Sequence, residues 1–187
     1  SFQAEAFHHA LEENAKEAGM SYADYAAKLD LLDEEEIDSL LEKLHIHEKS
    51  PQLTGKDLYL NEKLALGYNY VDSSLEITHD HDTQGEHGSH VAGIATANRY
   101  IPNGDGTFTP ALEAVSTQGV APDAQLITMK VFGTRGGAYD SDYMAAIEDA
   151  MILGCDSANL SLGSGNPGYS RQSDAKSQAI LEAVVNS

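Results

Sequence analysis

The order of apolar segments in the second half of the chain restricts the fold more than any other feature. Strand-like runs at residues 125–132 and 157–162 alternate with helical patterns at 141–153 and near 173–186, and an Ala/Gly-rich helix starts at His87. Strands that alternate with helices form parallel sheets covered by helices, and functional residues collect at the carboxyl ends of those strands. The sequence therefore predicts an α/β fold with a parallel sheet flanked by helices, and an irregular loop over residues 100–118.

The amino-terminal part of the chain is helical and acidic. Its apolar residues recur at three- and four-residue spacing, which is typical of helices, and Asp33 with Glu36 resembles a capping box. Leu40, Leu41 and Leu44 are expected to face the core. The helical patterns cover residues 4–18, 22–29 and 33–44.

A change of pattern near residue 56 suggests how the chain is organised. Breaks at Pro51 and Gly55 precede a strand-like alternation over residues 56–72, and such breaks mark element boundaries. We therefore predict one continuous domain in two parts. A helical acidic insertion occupies residues 1–56, and the α/β part occupies residues 57–187.

The composition excludes several classes of function. The formal net charge is −19, and an acidic surface repels phosphate, so nucleic acid is not an expected partner. No apolar run is long enough to insert into a membrane. The first residues lack the features of a signal peptide, so any export signal is expected outside this chain.

The single cysteine, Cys155, cannot form an internal disulfide and is expected to be a buried, inert thiol.

His87 is the best candidate for chemistry. It stands among small residues where a loop gives way to a helix, in Gly-Glu-His-Gly-Ser-His-Val-Ala-Gly. An imidazole titrates near neutrality, and the positive end of the helix dipole disfavours its protonated form, which suits a general base. The alternative is that His87 only caps a buried helix. Ala92, Gly93 and Ala95 predict close helix packing, and His90 is expected to be a packing residue.

Several segments, in a fixed order, resemble segments of the subtilisin-like serine proteases. The segment that starts at His87 is similar to the family's His-Gly-Thr-His-Val-Ala-Gly, with Ser89 in place of threonine. Others resemble its Gly-Val-Ala-Pro turn with the following core strand, its substrate-binding edge, and the strand end on the other side of the cleft. The resemblance implies an incomplete three-layer fold and assigns proton transfer to His87. The segments are residues 87–93, 119–131, 132–138 and 159–163.

The two cleft segments suggest how a substrate is held. Strand ends that flank a cleft bind an extended polypeptide as an added strand, because main-chain hydrogen bonds supply affinity and glycines leave room for the substrate backbone. Taken singly, these glycines are equally typical of turns. No cofactor or metal is implied by this chemistry. The predicted substrate-binding residues are Gly136, Gly137, Ser161, Leu162 and Gly163.

The chain departs from the family in its catalytic set. Acyl transfer needs a nucleophile, a base, a carboxylate that orients the base, and oxyanion donors, but neither Asp-Ser/Thr-Gly nor Gly-Thr-Ser-Met-Ala occurs. We expect part of a serine endopeptidase that is inactive alone and is completed by the remaining parts of its parent protease. A chain completed by another polypeptide and a degenerate, non-catalytic relative are the alternatives.

The amino-terminal part resembles one branch of the family in particular. Its acidic helices, together with residues 60–70, are similar to the cell-envelope proteases that include lactocepin and the streptococcal C5a peptidases. This likeness implies a bacterial protein that is secreted or held in the cell envelope.

Three rival functions belong to other classes. Histidines and carboxylates between residues 79 and 90 are potential zinc ligands, although no His-Glu-x-x-His motif occurs. Residues 103–107 resemble part of a calcium loop but lack its downstream glutamate, so a tight turn is favoured. The acidic helices over residues 33–48 suit a basic partner, although a solvated helical face is favoured. The potential zinc ligands are His79, Asp80, His81, Asp82, Glu86, His87 and His90.

Overall fold

The computed structural model of the chain describes residues 2–78, 85–133 and 137–163. Within these ranges, helices surround a pair of parallel strands. A 3₁₀ turn at Leu41–Lys43 follows α3. No helix in these ranges has the length and apolar character that a membrane crossing needs. The helices are α1 (Ala4–Glu17), α2 (Tyr22–Ala26), α3 (Glu34–Leu40), α4 (His45–Lys49), α5 (Gly55–Leu58), α6 (His87–Thr96), α7 (Ala111–Ala114) and α8 (Asp140–Ile152).

The strands form two small sheets. β1 and β4 pair in parallel, with a register shift after Leu64 and with Asn69 opposite Lys130 at the carboxyl ends. A parallel pair needs a long crossover connection, and α6 lies in it. β2 and β3 form an antiparallel hairpin. The predicted parallel sheet flanked by helices is therefore confirmed. The strands are β1 (Leu64–Asn69), β2 (Tyr100–Pro102), β3 (Phe108–Pro110) and β4 (Leu126–Lys130).

The main apolar core joins the acidic helices to the sheet. Tyr68 and Tyr70 are fully buried and pack in one cluster with residues from α3, α4 and α8. Leu41 and Leu44 face this core as predicted, and Leu40 packs against it. Both parts of the chain thus contribute to the same cluster, and the division at residue 56 stays a prediction.

The carboxylate of Asp149, on α8, is buried in that core and accepts three hydrogen bonds. It accepts from the backbone N–H groups of His45 (2.7 Å) and Ile46 (3.1 Å) and from the hydroxyl of Tyr70 (2.8 Å). Burial raises the pKa of Asp149 and of the Tyr70 phenol. These bonds satisfy the free N–H groups at the start of α4 and tie α4, α8 and the end of β1 together.

The ammonium group of Lys63 is also buried, just ahead of β1. It donates to the carbonyl oxygens of Pro122 (2.8 Å) and Ala124 (2.6 Å) and lies 4.9 Å from the ring centroid of Phe7. Burial lowers the pKa of Lys63 to about 8. This side chain links α1 to the loop that precedes β4.

Two predicted elements differ from the structure. Residues 100–118 contain the β2–β3 hairpin and α7 rather than an irregular loop. The predicted strand at residues 157–162 is wrong, since no strand pairing is found there among the described residues. Leu160 and Leu162 do line a cavity of about 130 Å³ against β4 and α8. Alternating leucines indicate one apolar face, but they do not supply backbone pairing. The predicted helix near 173–186 lies outside the described residues.

The connection between β2 and β3 is a tight turn. Asp105 Oδ1 accepts from the backbone N–H of Thr107 (2.9 Å) and from its hydroxyl (2.6 Å). Gly104 and Gly106 have φ values of 82° and 85°, which favour glycine. The predicted tight turn at residues 103–107 is confirmed.

Candidate active site

His87 is the first residue of α6 and is exposed to solvent. The residue that caps this helix is Glu86, and its side chain makes no capping hydrogen bond to the N–H groups at the helix start. The interpretation of His87 as the cap of a buried helix is therefore wrong. The imidazole stands at the positive end of a helix of 10 residues and is exposed to solvent.

The rest of α6 is less buried than the sequence predicts. His90, expected to be a packing residue, has a side chain that is 72% exposed, and its Nε2 lies 3.5 Å from Glu86 Oε2. Ile94 is 69% exposed, and a Cβ added at Gly93 would meet nothing within 4 Å. The prediction that His90 is a packing residue is therefore wrong, and the close packing of α6 is found at its carboxyl end.

The carboxyl end of α6 is held by the Gly-Val-Ala-Pro turn. The backbone N–H groups of Gly119, Val120 and Ala121 donate to the carbonyl oxygens of Ala97, Ile94 and Ala95, at 2.8 to 2.9 Å. A Cβ on Gly119 would lie 2.6 Å from the carbonyl carbon of Thr96. The turn therefore needs glycine at this position because two backbones meet there.

We expect Gly119→Ala to lower the free energy of unfolding by about 1–3 kcal/mol, the usual cost of forcing extra volume into a packed site. Gly93→Ala is the matched control, because its Cβ would enter open space and alanine favours a helix by about 0.5–1 kcal/mol over glycine. Urea denaturation followed by circular dichroism measures both. Equal effects of the two substitutions would contradict the close contact.

The segment after β4 folds back beside the segment after β1. Gly133 lies so close to Val71 that a Cβ would be 2.7 Å from its Cγ1, and the Gly133 N–H donates to the Gly137 carbonyl oxygen at 3.2 Å. At the end of β4, the Lys130 ammonium donates to the carbonyl oxygen of Thr78 (2.6 Å). The sequence analysis included Gly133 in the segment that resembles the substrate-binding edge but did not single out Lys130. The position of Lys130 at the carboxyl end of β4 was the available signal.

Most of the predicted substrate-binding residues lie on the surface. Gly137, Ser161, Leu162 and Gly163 are exposed, whereas Gly136 lies outside the described residues. The Asn159 amide donates to Ser161 Oγ at 3.0 Å. These residues are accessible to a polypeptide, and their binding role stays a prediction.

The described residues offer little support for other catalytic groups. Burial raises the pKa of the half-buried Cys155 thiol, and a raised pKa lowers the fraction of reactive thiolate. No group of three or more His, Cys, Asp or Glu residues that would hold a metal ion is found in the described ranges. The potential zinc ligands His79, Asp80, His81 and Asp82 lie outside those ranges.

Comparison with known proteins decides the family. The model of the subtilase family of peptidases matches residues 46–186. This chain belongs to the subtilase family. His87, the turn at Gly119 and both cleft segments all fall within the match, so the resemblance of these segments to subtilisin-like proteases is confirmed. No solved structure gave a significant match to the subtilase chain.

Several bacterial proteases are similar to the subtilase chain. The PI-type proteinase of Lactococcus lactis subsp. cremoris is 44% identical over 109 residues, which is 57% of this chain and 5% of the proteinase. The minor extracellular protease Vpr of Bacillus subtilis is 34% identical over 76% of this chain and 16% of its own length. A C5a peptidase of Streptococcus pyogenes is 31% identical over 59% of this chain and 9% of its own length. The predicted likeness to the cell-envelope branch is confirmed, and the subtilase chain spans a small part of each relative.

Proposed function

We propose that this chain is part of the catalytic domain of a serine endopeptidase and that His87 is its general base. The observation that carries the proposal is the exposed imidazole at the start of α6, inside the region that the subtilase model matches. The names of these three relatives, a proteinase, a protease and a peptidase, support the same reaction class.

The proposed chemistry divides the catalytic set between this chain and the rest of the protease. His87 accepts the proton of a serine hydroxyl as its oxygen attacks the carbonyl carbon of the substrate, and later returns the proton to the leaving amine. The serine and the aspartate that orients the imidazole come from remaining parts of the parent protease, since neither of the family's motifs for them occurs in these 187 residues.

The proposed substrate is an extended polypeptide. It lies as an added strand between Gly136 and Gly137 on one side and Ser161, Leu162 and Gly163 on the other, held by main-chain hydrogen bonds. The exposure of the last three residues and of Gly137 supports this placement. A secreted or cell-envelope location is also proposed, because one relative is named as an extracellular protease.

The proposal is tested by assaying the parent protease and the isolated chain side by side on a fluorogenic, unstructured peptide. We expect the parent protease to hydrolyse the peptide and to lose activity to a fluorophosphonate, which phosphonylates active serines with loss of fluoride. We expect no turnover by the chain alone. Turnover by the chain alone that this reagent abolishes would overturn the division of the catalytic set. Inhibition by a chelator but not by the fluorophosphonate would favour the zinc alternative.

A further inference from the structure

We propose that α1 is a positioning element for His87 and acts through Arg99. This inference rests on the proposed function of His87 as the general base. It concerns four residues, Asn14, Asn98, Arg99 and Asp123, which we call the α1 junction. Arg99 is a positioning residue, because it acts on the catalytic helix from the end opposite to the imidazole.

The guanidinium group of Arg99 connects α1 to the end of α6. Its Nη2 donates to the Ala10 carbonyl oxygen (3.2 Å) and to Asn14 Oδ1 (2.9 Å) and lies 3.3 Å from Asp123 Oδ2. The Asn14 amide donates to the same Asp123 oxygen at 3.0 Å. One side chain thus joins α1, the segment that follows α6, and the loop before β4.

The neighbouring residue adds a second connection. The amide of Asn98, a residue that is only 4% exposed, donates to the Gln3 carbonyl oxygen at 2.7 Å. α1 itself is packed against the rest of the structure, because the side chains of Phe7 and Leu11 are each only 1% exposed. The start and the later turns of α1 are therefore both bonded to the segment that follows the catalytic helix.

The two ends of α6 are held very differently. Residues 85–90, around His87, are exposed, whereas the far end is bonded to the Gly119 turn and leads directly into Asn98 and Arg99 of the α1 junction. An α-helix of this length spans about 15 Å, so a tilt of a few degrees at its held end displaces the imidazole by about 1 Å. A displacement of that size costs about 100-fold in rate when it falls on a reacting group.

Buried polar atoms without a hydrogen-bond partner in the α1 junction also point to a role beyond packing. Among the described residues, the buried side-chain atoms without a hydrogen-bond partner are His47 Nδ1, Asn98 Oδ1, Arg99 Nε and Asp123 Oδ1. All but the first belong to this junction. Unsatisfied buried groups destabilise a fold, and functional sites are one place where proteins retain them.

Arg99→Ala in the parent protease tests the proposal. We expect kcat, expressed per active site titrated with a fluorophosphonate, to fall by about 10- to 100-fold, with KM changed by less than about two-fold. We expect Arg99→Lys to lose less kcat than Arg99→Ala, because the lysine ammonium keeps one of the contacts of the guanidinium but not all of them. Asn14→Ala removes the Arg99 acceptor and the amide donor to Asp123 but keeps Arg99 with its bonds to Ala10 and Asp123, so we expect a smaller loss of kcat.

Lys16→Ala is the matched control on α1, because the ammonium of Lys16 pairs with Glu13 at 2.5 Å on the exposed side of the helix. We expect it to retain the parent kcat. The proposal is overturned if Arg99→Ala retains the parent kcat per active site, or if Lys16→Ala loses as much as Arg99→Ala. If Arg99→Ala does not fold, Asn14→Ala and Arg99→Lys replace it. The proposal is then overturned if both variants retain the parent kcat per active site. Activity that survives His87→Ala would instead reject the proposed function.

Discussion

Replacing His87 by alanine in the parent protease abolishes peptide hydrolysis. We expect kcat to fall by about 10⁴-fold or more while KM changes little, because proton transfer is needed in the transition state and not for substrate binding. The substitution removes an exposed side chain at the start of α6, so the fold is expected to stay intact. Steady-state kinetics on a fluorogenic peptide, with circular dichroism to verify folding, measures the effect.

His90→Ala is the matched control for this experiment. His90 lies on the same helix, is largely exposed, and pairs only loosely with Glu86, at 3.5 Å. We expect its kcat to stay within about three-fold of the parent value, since surface substitutions away from the chemistry have small effects. Loss of activity in His90→Ala, or its retention in His87→Ala, would show that the general base had been assigned to the wrong histidine.

Replacing Asp149 by alanine strongly destabilises the fold. We expect the free energy of unfolding to fall by about 3–5 kcal/mol, because a buried charged acceptor is removed and its donors lose their partner. The orphaned donors are the Tyr70 hydroxyl and the backbone N–H groups of His45 and Ile46. Urea denaturation of the chain measures the loss.

Two further substitutions distinguish the loss of this buried hydrogen-bond network from the general effect of removing a negative charge from α8. Asp149→Asn keeps the shape and one acceptor oxygen, so we expect an intermediate loss. Glu148→Ala removes the adjacent, half-exposed carboxylate that pairs with His45 at 2.5 Å, and exposed pairs of this kind contribute about 0–1 kcal/mol. If Asp149→Ala destabilises no more than Glu148→Ala, the buried carboxylate does not hold α4 and β1 to α8.

Features that depend on local pattern were predictable. Helix periodicity placed α1, α3 and α8 within a few residues of their observed bounds, since neighbouring apolar side chains must share one face. The residue types around His87 predicted the start of α6 correctly, because a change from loop to helix is encoded by nearby residues. The tight turn at residues 103–107 was equally local.

Features that depend on a distant partner were not predictable. The leucines of residues 157–162 alternate as in a strand, but pairing with β4 requires backbone contacts that alternation does not report. His90 was predicted to be packed because the helix around it is built of small residues, yet no described element covers that face. Lys63 is a charged residue that sequence reasoning places in solvent, and only the carbonyl oxygens of the loop before β4 explain its burial.

The sequence by itself determined the α/β class and the family, and it singled out His87 as the proposed general base, because these follow from residue types and their spacing along the chain. The tertiary structure alone decided how that histidine is held. Asn14, Arg99 and Asp123 are far apart in the chain, and no periodicity links them. Their contacts exist only because packing of α1 against the end of α6 brings three distant segments within hydrogen-bond distance.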